Sequence, residues 1–191
     1  MTPANAATYQ APESAAAASA NLNALLNATE QRTVPVFSVE RALSLGASGY
    51  SIDQYAASFV ISGGILANSS TSDGKQLSQE ASARAQYVLR ACRGANAFTG
   101  MYWFGPQLAL NSCSTNALVN GLTIAAAGGG TYAAAAALTG VGLPAGAVVG
   151  VVSGLLGVGV GILSWCRDAS SIGAIYLNGG SPIAPPTCWA Q

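Results

Sequence analysis

The hydrophobic positions of this sequence follow two different patterns, one before residue 93 and one after it. Up to Arg93, apolar residues recur at intervals of three and four, as on helices that bury one face. This spacing predicts four amphipathic helices, at 13–32, 38–45, 52–61 and 75–93. After Arg93 no Asp, Glu, Lys or Arg occurs again until Arg167. We therefore expect residues 12–93 to form an amphipathic helical sheath around residues 94–166.

The uncharged block 94–166 is predicted to contain a hydrophobic helical hairpin. One apolar stretch covers 116–143, and a second covers 144–165. The second stretch carries no charge over about 20 residues, which is the length that a helix needs to cross the hydrocarbon core of a bilayer. Two interpretations are open: a buried central hairpin of a soluble bundle, or a hairpin that is released into a membrane.

Glycine recurs almost every four residues in the second half of this block. In an α-helix such a period places the glycines on one stripe and removes side chains from it. Each glycine inside a helix costs about 0.5–1 kcal/mol relative to alanine, so the stripe predicts a close helical partner or a lipid environment that favours small-residue contacts. The predicted helix-packing or membrane face consists of Gly142, Gly146, Gly150, Gly154, Gly157 and Gly161.

Aromatic residues lie near both ends of the block. Tyr102, Trp103 and Phe104 form a cluster near its start, and Trp165 lies at its end. Packing in a small core under a disulfide is one interpretation of the cluster. The other is an anchor at the membrane–water interface, where Trp and Tyr are enriched.

The four cysteines are predicted to form two disulfide bonds. Cys92 and Cys113 are separated by nearly the same distance along the chain as Cys166 and Cys188. These spacings favour the pairs 92–113 and 166–188 over metal ligation, although the sequence does not exclude the other two pairings. Disulfides indicate an oxidising, extracytoplasmic environment. The second bond would tie residues 167–191, predicted as a short strand or strap, back to the last helix.

The composition argues against several classes of function. Charged residues make up 7% of the chain and the net charge is zero, so nothing attracts a nucleic acid. Histidine is absent and the few acidic residues are scattered, which leaves no evident catalytic base, metal site or cofactor site. The sequence therefore predicts a protein that is not an enzyme and that has no identified small-molecule substrate.

The predicted fold is mainly α. It is one compact domain in which a helical bundle surrounds the central glycine-rich hairpin, with a flexible tail at 1–11. The first residues have neither the basic start nor the apolar run of a signal peptide. If the protein is secreted, we expect this sequence to be the mature form.

An uncharged helical hairpin inside amphipathic helices resembles the architecture of secreted pore-forming bacteriocins of the colicin-like class. The glycine series from Gly142 to Gly161 is similar to the glycine-zipper helices by which such peptides associate in membranes. The resemblance implies a toxin that permeabilises a target lipid membrane and that can act as a homo-oligomer. Two alternatives are a structural or assembly protein that uses the glycine face for subunit packing, and a carrier of an apolar ligand.

Overall fold

The computed structural model describes residues 13–127, 130–181 and 184–191, and the predicted tail 1–11 lies outside them. Within these ranges the chain forms eight α-helices and two β-sheets. The helices are α1 (Ala15–Asn27), α2 (Val39–Ser44), α3 (Gly49–Ile61), α4 (Ser72–Leu89), α5 (Ser112–Ala126), α6 (Tyr132–Gly140), α7 (Ala145–Val158) and α8 (Val160–Ala169). The strands are β1 (Thr29–Glu30), β2 (Val36–Phe37), β3 (Ile65–Leu66), β4 (Ala97–Tyr102), β5 (Gly105–Leu110), β6 (Ile175–Asn178) and β7 (Thr187–Ala190).

Helices α1 to α4 correspond to the four amphipathic helices that the sequence predicts. Their starts are set by hydroxyl side chains that accept a backbone N–H of the first turn, as N-cap residues do. The Ser48 hydroxyl accepts from the Ser51 backbone N–H, and the Thr71 hydroxyl accepts from the Gly74 backbone N–H. Helices α3 and α4 therefore each begin three residues earlier than the apolar periodicity alone indicates.

The centre of the core is formed by α3 packed against α6. Residues 134–140 of α6 are all buried, and the small side chains of its alanine run permit a close approach of α3. The Tyr55 hydroxyl lies between the hydroxyls of Thr29 and Thr139, at 2.9 and 2.7 Å. The rings of Phe37, Tyr55 and Phe59 pack against one another beside this polar contact.

Burial raises the pKa of Tyr55 to about 12, against about 10 for an exposed tyrosine. Between pH 10 and 12 the unfolded chain therefore loses this proton while the folded chain keeps it, so folding stability falls as the pH rises. We expect the loss to reach about 2 kcal/mol at pH 12. Tyr55→Phe, which cannot ionise here, should lose less stability over that range in denaturant titrations. Equal losses for the two proteins would contradict this assignment.

The two β-sheets lie in different parts of the chain. In the first sheet, β2 lies between β1, to which it is antiparallel, and β3, to which it is parallel. The second sheet is an antiparallel meander in the order β4-β5-β6-β7. Its last two strands confirm the predicted C-terminal strap, and both predicted disulfides are present, Cys92–Cys113 and Cys166–Cys188.

The prediction of residues 94–166 as a helical hairpin region is wrong for 97–110, which forms the β-hairpin β4–β5. Strand β5 is buried over most of its length, whereas β4 is an edge strand with mostly exposed or half-exposed side chains. The fold is therefore mainly α with a substantial sheet. The predicted central position holds for the first half of the hairpin, because α6 packs against α3 and α5 and is buried over residues 134–140. It is wrong for the glycine-rich second half, since α7 packs on α6 and buries only one side.

Candidate functional site

Helix α7 buries only its branched aliphatic face. It begins directly after Pro144, and its buried side chains are Val148, Val151, Val152 and Leu155. These positions follow the spacing of three and four that places side chains on one side of a helix. They pack toward α5 and α6. The opposite side of α7, which carries the glycines, is therefore turned away from the core.

The glycine stripe of α7 is open rather than packed. A Cβ atom added at Gly146, Gly150 or Gly157 would find no other atom within 4 Å apart from its own chain neighbours and helix backbone. The neighbouring Val149 is 46% exposed, and Ser153 on the same face is also exposed. Gly146, Gly150 and Gly157 lie on one side of α7, and no helix among the described residues packs against that side.

The other glycines of the predicted series lie in different surroundings. Gly142 is not helical: it lies in the turn before α7 with a φ of +107°. Gly154 is in α7, and its Cβ would lie 3.4 Å from the Cγ of Pro186. Gly161 belongs to α8 and is open like Gly150. The face of six glycines predicted on one helix is therefore divided among a turn and two helices.

The predicted continuous helix over 144–165 is wrong because the chain bends at Gly159. The backbone there has φ +88° and ψ 144°, a conformation that L-amino acids other than glycine rarely adopt. As a result, α7 and α8 meet at an angle of 89°. Within the described residues, no single helix has both the length and the hydropathy to cross a membrane, and this bent pair meets both criteria only when its two halves are combined.

Helix α8 continues the uncharged exposed surface beyond the bend. Ile162 is 44% exposed and Trp165 is 70% exposed, and both lie on the same side of the helix as Gly161. The inner side carries the buried residues Leu163 and Cys166. We call the exposed residues the α7–α8 face: Gly146, Val149, Gly150, Ser153, Gly157, Gly161, Ile162 and Trp165.

The aromatic cluster forms the tip of the β4–β5 hairpin. The rings of Tyr102 and Phe104 stack at 5.1 Å, and the Trp103 ring meets that of Phe104 edge-on at 5.3 Å. Trp103 is nevertheless 74% exposed, and Met101 beside it is also exposed. The cluster is thus an exposed aromatic tip rather than a small buried core.

Glycine contacts join the base of the aromatic tip to α7. A Cβ on Gly105 would lie 2.0 Å from the carbonyl oxygen of Gly180, in the turn after β6. A Cβ on Gly179 would lie 2.7 Å from both Pro106 and Val151, so this turn touches the hairpin base and α7 together. Through these contacts the turn after β6 fixes the position of the aromatic tip relative to α7. The sequence gives no signal for them beyond the presence of Gly179 and Gly180 in a turn.

The close helix contacts predicted for the glycine series occur instead at two other glycines. A Cβ at Gly121 in α5 would lie 2.4 Å from the backbone nitrogen of Ala134 in α6. A Cβ at Gly140, the last residue of α6, would lie 2.6 Å from the carbonyl oxygen of Phe59 in α3. The sequence does indicate a close contact at Gly121, because this glycine lies between Val119 and Leu122 on an apolar helix face. Gly140 follows the alanine run with no comparable signal.

The α7–α8 face carries no charge at any physiological pH. No ionisable group occurs among its residues, and the nearest charges in the sequence are Arg167 and Asp168, which pair with each other at 2.9 Å. Across the described ranges, no group of three His, Cys, Asp or Glu side chains is placed to hold a metal ion. Apart from the Ser153 hydroxyl and the Trp165 indole N–H, the surface can therefore bind only by shape, dispersion and apolar burial.

Comparisons with known proteins add no relative. No protein-family model matches the chain, and neither the curated proteins nor the solved structures give a significant match.

Proposed function

We propose that this is a secreted, membrane-active protein of the pore-forming bacteriocin type, whose α7–α8 face and aromatic tip engage a target bilayer and permeabilise it. The observation that carries the proposal is the open glycine stripe. Gly146, Gly150, Gly157 and Gly161 lie within helices, and none of them is needed to let another part of the described chain approach.

These four glycines lower the stability of their helices, and no contact within the described chain compensates for that loss. Each one lowers helix stability by about 0.5–1 kcal/mol relative to alanine, so together they cost on the order of 2–4 kcal/mol. Marginally stable domains have only about 5–15 kcal/mol in total. A partner outside the chain that packs closely on the stripe would recover this energy. Small residues spaced by four are the contacts that bring helix backbones together in lipid.

Membrane entry requires α7 and α8 to change their mutual angle. As one continuous helix, residues 145–169 would extend about 37 Å, which exceeds the roughly 30 Å of a bilayer core. Glycine at 159 can adopt the helical conformation as readily as its present one, so the bend can open without strain at that position. The only charges in this length, Arg167 and Asp168, lie at its end, where they would remain at the interface.

The aromatic tip supports the first contact with the bilayer. Tyr and Trp combine a large apolar ring with a polar group, and they concentrate at the boundary between headgroups and acyl chains. Trp103 at the tip and Trp165 on α8 are both largely exposed in the folded chain. Two disulfide bonds are compatible with an extracellular location, which such an activity requires.

The test is dye release from liposomes by the purified, oxidised protein. We expect leakage with the wild-type chain and a roughly tenfold slower rate with Gly150→Ile, which corresponds to about 1.4 kcal/mol of lost helix association. The β-branched side chain blocks close approach but leaves the face apolar, so vesicle binding should persist. Ser19→Ile, at an exposed position of α1, is the matched control and should leak like the wild type.

Two results would refute the proposal. One is an absence of leakage and of vesicle binding for every lipid composition and pH tested. The other is equal leakage by the wild type, Gly150→Ile and Ser19→Ile, because the glycine stripe would then play no part.

An assembly protein is the second candidate, since the same open stripe would also admit the backbone of another subunit. In that case size-exclusion chromatography without detergent should give a large, discrete and soluble species. Gly150→Ile should dissociate it, and liposomes should neither bind it nor leak.

A further inference from the structure

A second surface feature lies in the first half of the chain, between β3 and α4. One wall of this groove is formed by residues 66–69, which continue from β3, and the other by one face of α4. The groove encloses about 590 Å³, within the range of small-molecule sites in proteins. Its lining residues are Leu66, Ala67, Asn68, Ser69, Lys75, Ser78, Gln79, Ser82, Ala83 and Gln86.

Six of the ten residues that line the groove carry a hydroxyl or carboxamide group. Those on α4 recur every three or four residues, so they form a single row that is distinct from the buried face of Ala81 and Ala85. Ser, Asn and Gln side chains both donate and accept hydrogen bonds, unlike the acidic and basic side chains. A row of this kind matches a ligand whose own groups also donate and accept, as hydroxyl groups do.

One hydroxyl on each wall lacks a hydrogen-bond partner within the part of the chain that the structure describes. The Oγ atoms of Ser69 and Ser78 are both shielded from solvent and make no hydrogen bond there. Buried polar atoms are nearly always paired, so an unpaired one calls for an explanation such as a bound molecule. Both serines line the groove, so a change to another staggered rotamer can turn either hydroxyl toward a ligand there.

The wall of the groove at residues 66–69 is held in place by contacts that lie outside the groove. The Ser70 backbone N–H and hydroxyl both donate to the Glu40 carboxylate, at 2.8 and 2.6 Å. These bonds keep the pKa of Glu40 below its usual value. A Cβ on Gly74 would lie 2.9 Å from that of Ser69, so the first turn of α4 closes tightly on the loop. The wall is therefore fixed before any ligand arrives.

The charge of the groove favours a neutral ligand. Lys75 is the one charged residue in the lining, and it acts electrostatically on the carboxylate of Glu40 beside the groove. A single lysine with an acidic neighbour gives little net attraction for an anion. A phosphate or sulfate group would also prefer several basic partners.

An extended peptide fits the groove less well than a sugar does. Strand β3 has only two residues, and the backbone N–H groups of Ile65 and Ala67 already donate to Pro35 and Phe37. Because alternate residues of a strand direct their hydrogen-bonding groups to opposite sides, only Leu66 could pair with an added strand. We propose that the β3–α4 groove binds a neutral carbohydrate through its row of serine and carboxamide side chains.

This site is separate from the α7–α8 face. Helix α4 packs on α3, α3 packs on α6, and α6 packs on α7, so the groove and the face belong to opposite ends of a series of helices. Carbohydrate binding goes beyond the proposed membrane activity and does not depend on it. A protein that has both would concentrate at a polysaccharide-coated surface.

The test is an NMR titration of the full, oxidised chain with maltohexaose, cellohexaose, chitohexaose and mannohexaose at millimolar concentration. We expect at least one of them to shift the backbone amides of Ser69, Ser78 and Ser82 and the side-chain amide of Gln79. Gln79→Ala should weaken that binding about fivefold, as expected when one side chain's hydrogen bonds are lost. Gln76→Ala is the matched control, because Gln76 lies on the same helix, is exposed, does not line the groove and donates its side-chain amide to Glu80.

The proposal is overturned if none of the four sugars shifts the groove signals. It is equally overturned if Gln79→Ala and Gln76→Ala bind with the same affinity as the wild type. Shifts caused by blocked tetra-alanine, and not by any sugar, would show instead that the groove takes a peptide.

Discussion

Substitution of Gly140 by alanine is expected to lower the free energy of unfolding by about 3 kcal/mol, whereas Gly150→Ala should raise it by up to about 1 kcal/mol. At Gly140 the new methyl group would meet the carbonyl oxygen of Phe59 at 2.6 Å, so α3 and α6 must separate. At Gly150 the methyl group meets nothing, and alanine is the better helix former.

Urea denaturation of the two variants, followed by circular dichroism, measures this difference. The two substitutions are chemically identical, and both positions lie in helices. The comparison therefore separates a glycine that the fold requires from one that it does not. Equal destabilisation by both variants would contradict the open position of the α7 stripe.

Removal of the Cys166–Cys188 bond by a double alanine substitution is expected to cost about 3 kcal/mol of stability. The bond closes a loop of 22 residues in sequence, and the chain-entropy model gives this magnitude for such a loop. It also ties α8 to β7 at the edge of the second sheet. Without it, α8 is held less firmly, so we expect faster dye release from liposomes in addition to the loss of stability.

The bond Cys92–Cys113 supplies the matched control. Its loop spans 21 residues, so its removal should cost nearly the same stability. It joins the end of α4 to the start of α5, however, and does not hold α8. Faster leakage after loss of either bond would attribute the effect to general destabilisation and would contradict a specific role for the α8 tether.

The sequence predicts the features that depend on local chemistry. The cysteine spacings favoured the two disulfide pairs that the structure contains, and the spacing of apolar residues located α1 to α4. The short strand or strap predicted at 167–191 likewise corresponds to β6 and β7. These predictions succeeded because hydrophobic periodicity and short loop closure are properties of neighbouring residues.

The orientation of α7 could not be derived in the same way. Periodicity shows that Gly150 and Val151 lie on different faces, but both faces are uncharged, so nothing in the pattern says which one is buried. The structure buries the side with Val148, Val151, Val152 and Leu155, which offers more apolar area, and it leaves the glycines and Val149 outside.

The bend at Gly159 and the hairpin β4–β5 were missed for a related reason. Gly157, Gly159 and Gly161 are identical residues at close spacing, and of these three only Gly159 has a positive φ, which tertiary packing decides. Strand β5 contains Pro106 and pairs with β6, a strand about 70 residues away along the chain. Pairing between strands so far apart cannot be predicted from the pattern of neighbouring residues.

The central claim, that the α7–α8 face contacts lipid, is tested most directly by the fluorescence of Trp165. A variant with Trp103→Phe and Trp189→Phe retains Trp165 as its only tryptophan. Its indole is 70% exposed in the folded protein and should emit as a solvated side chain in buffer. With liposomes whose acyl chains carry bromine, we predict a blue-shifted emission and strong quenching. An emission that stays red and unquenched at saturating lipid would contradict the account.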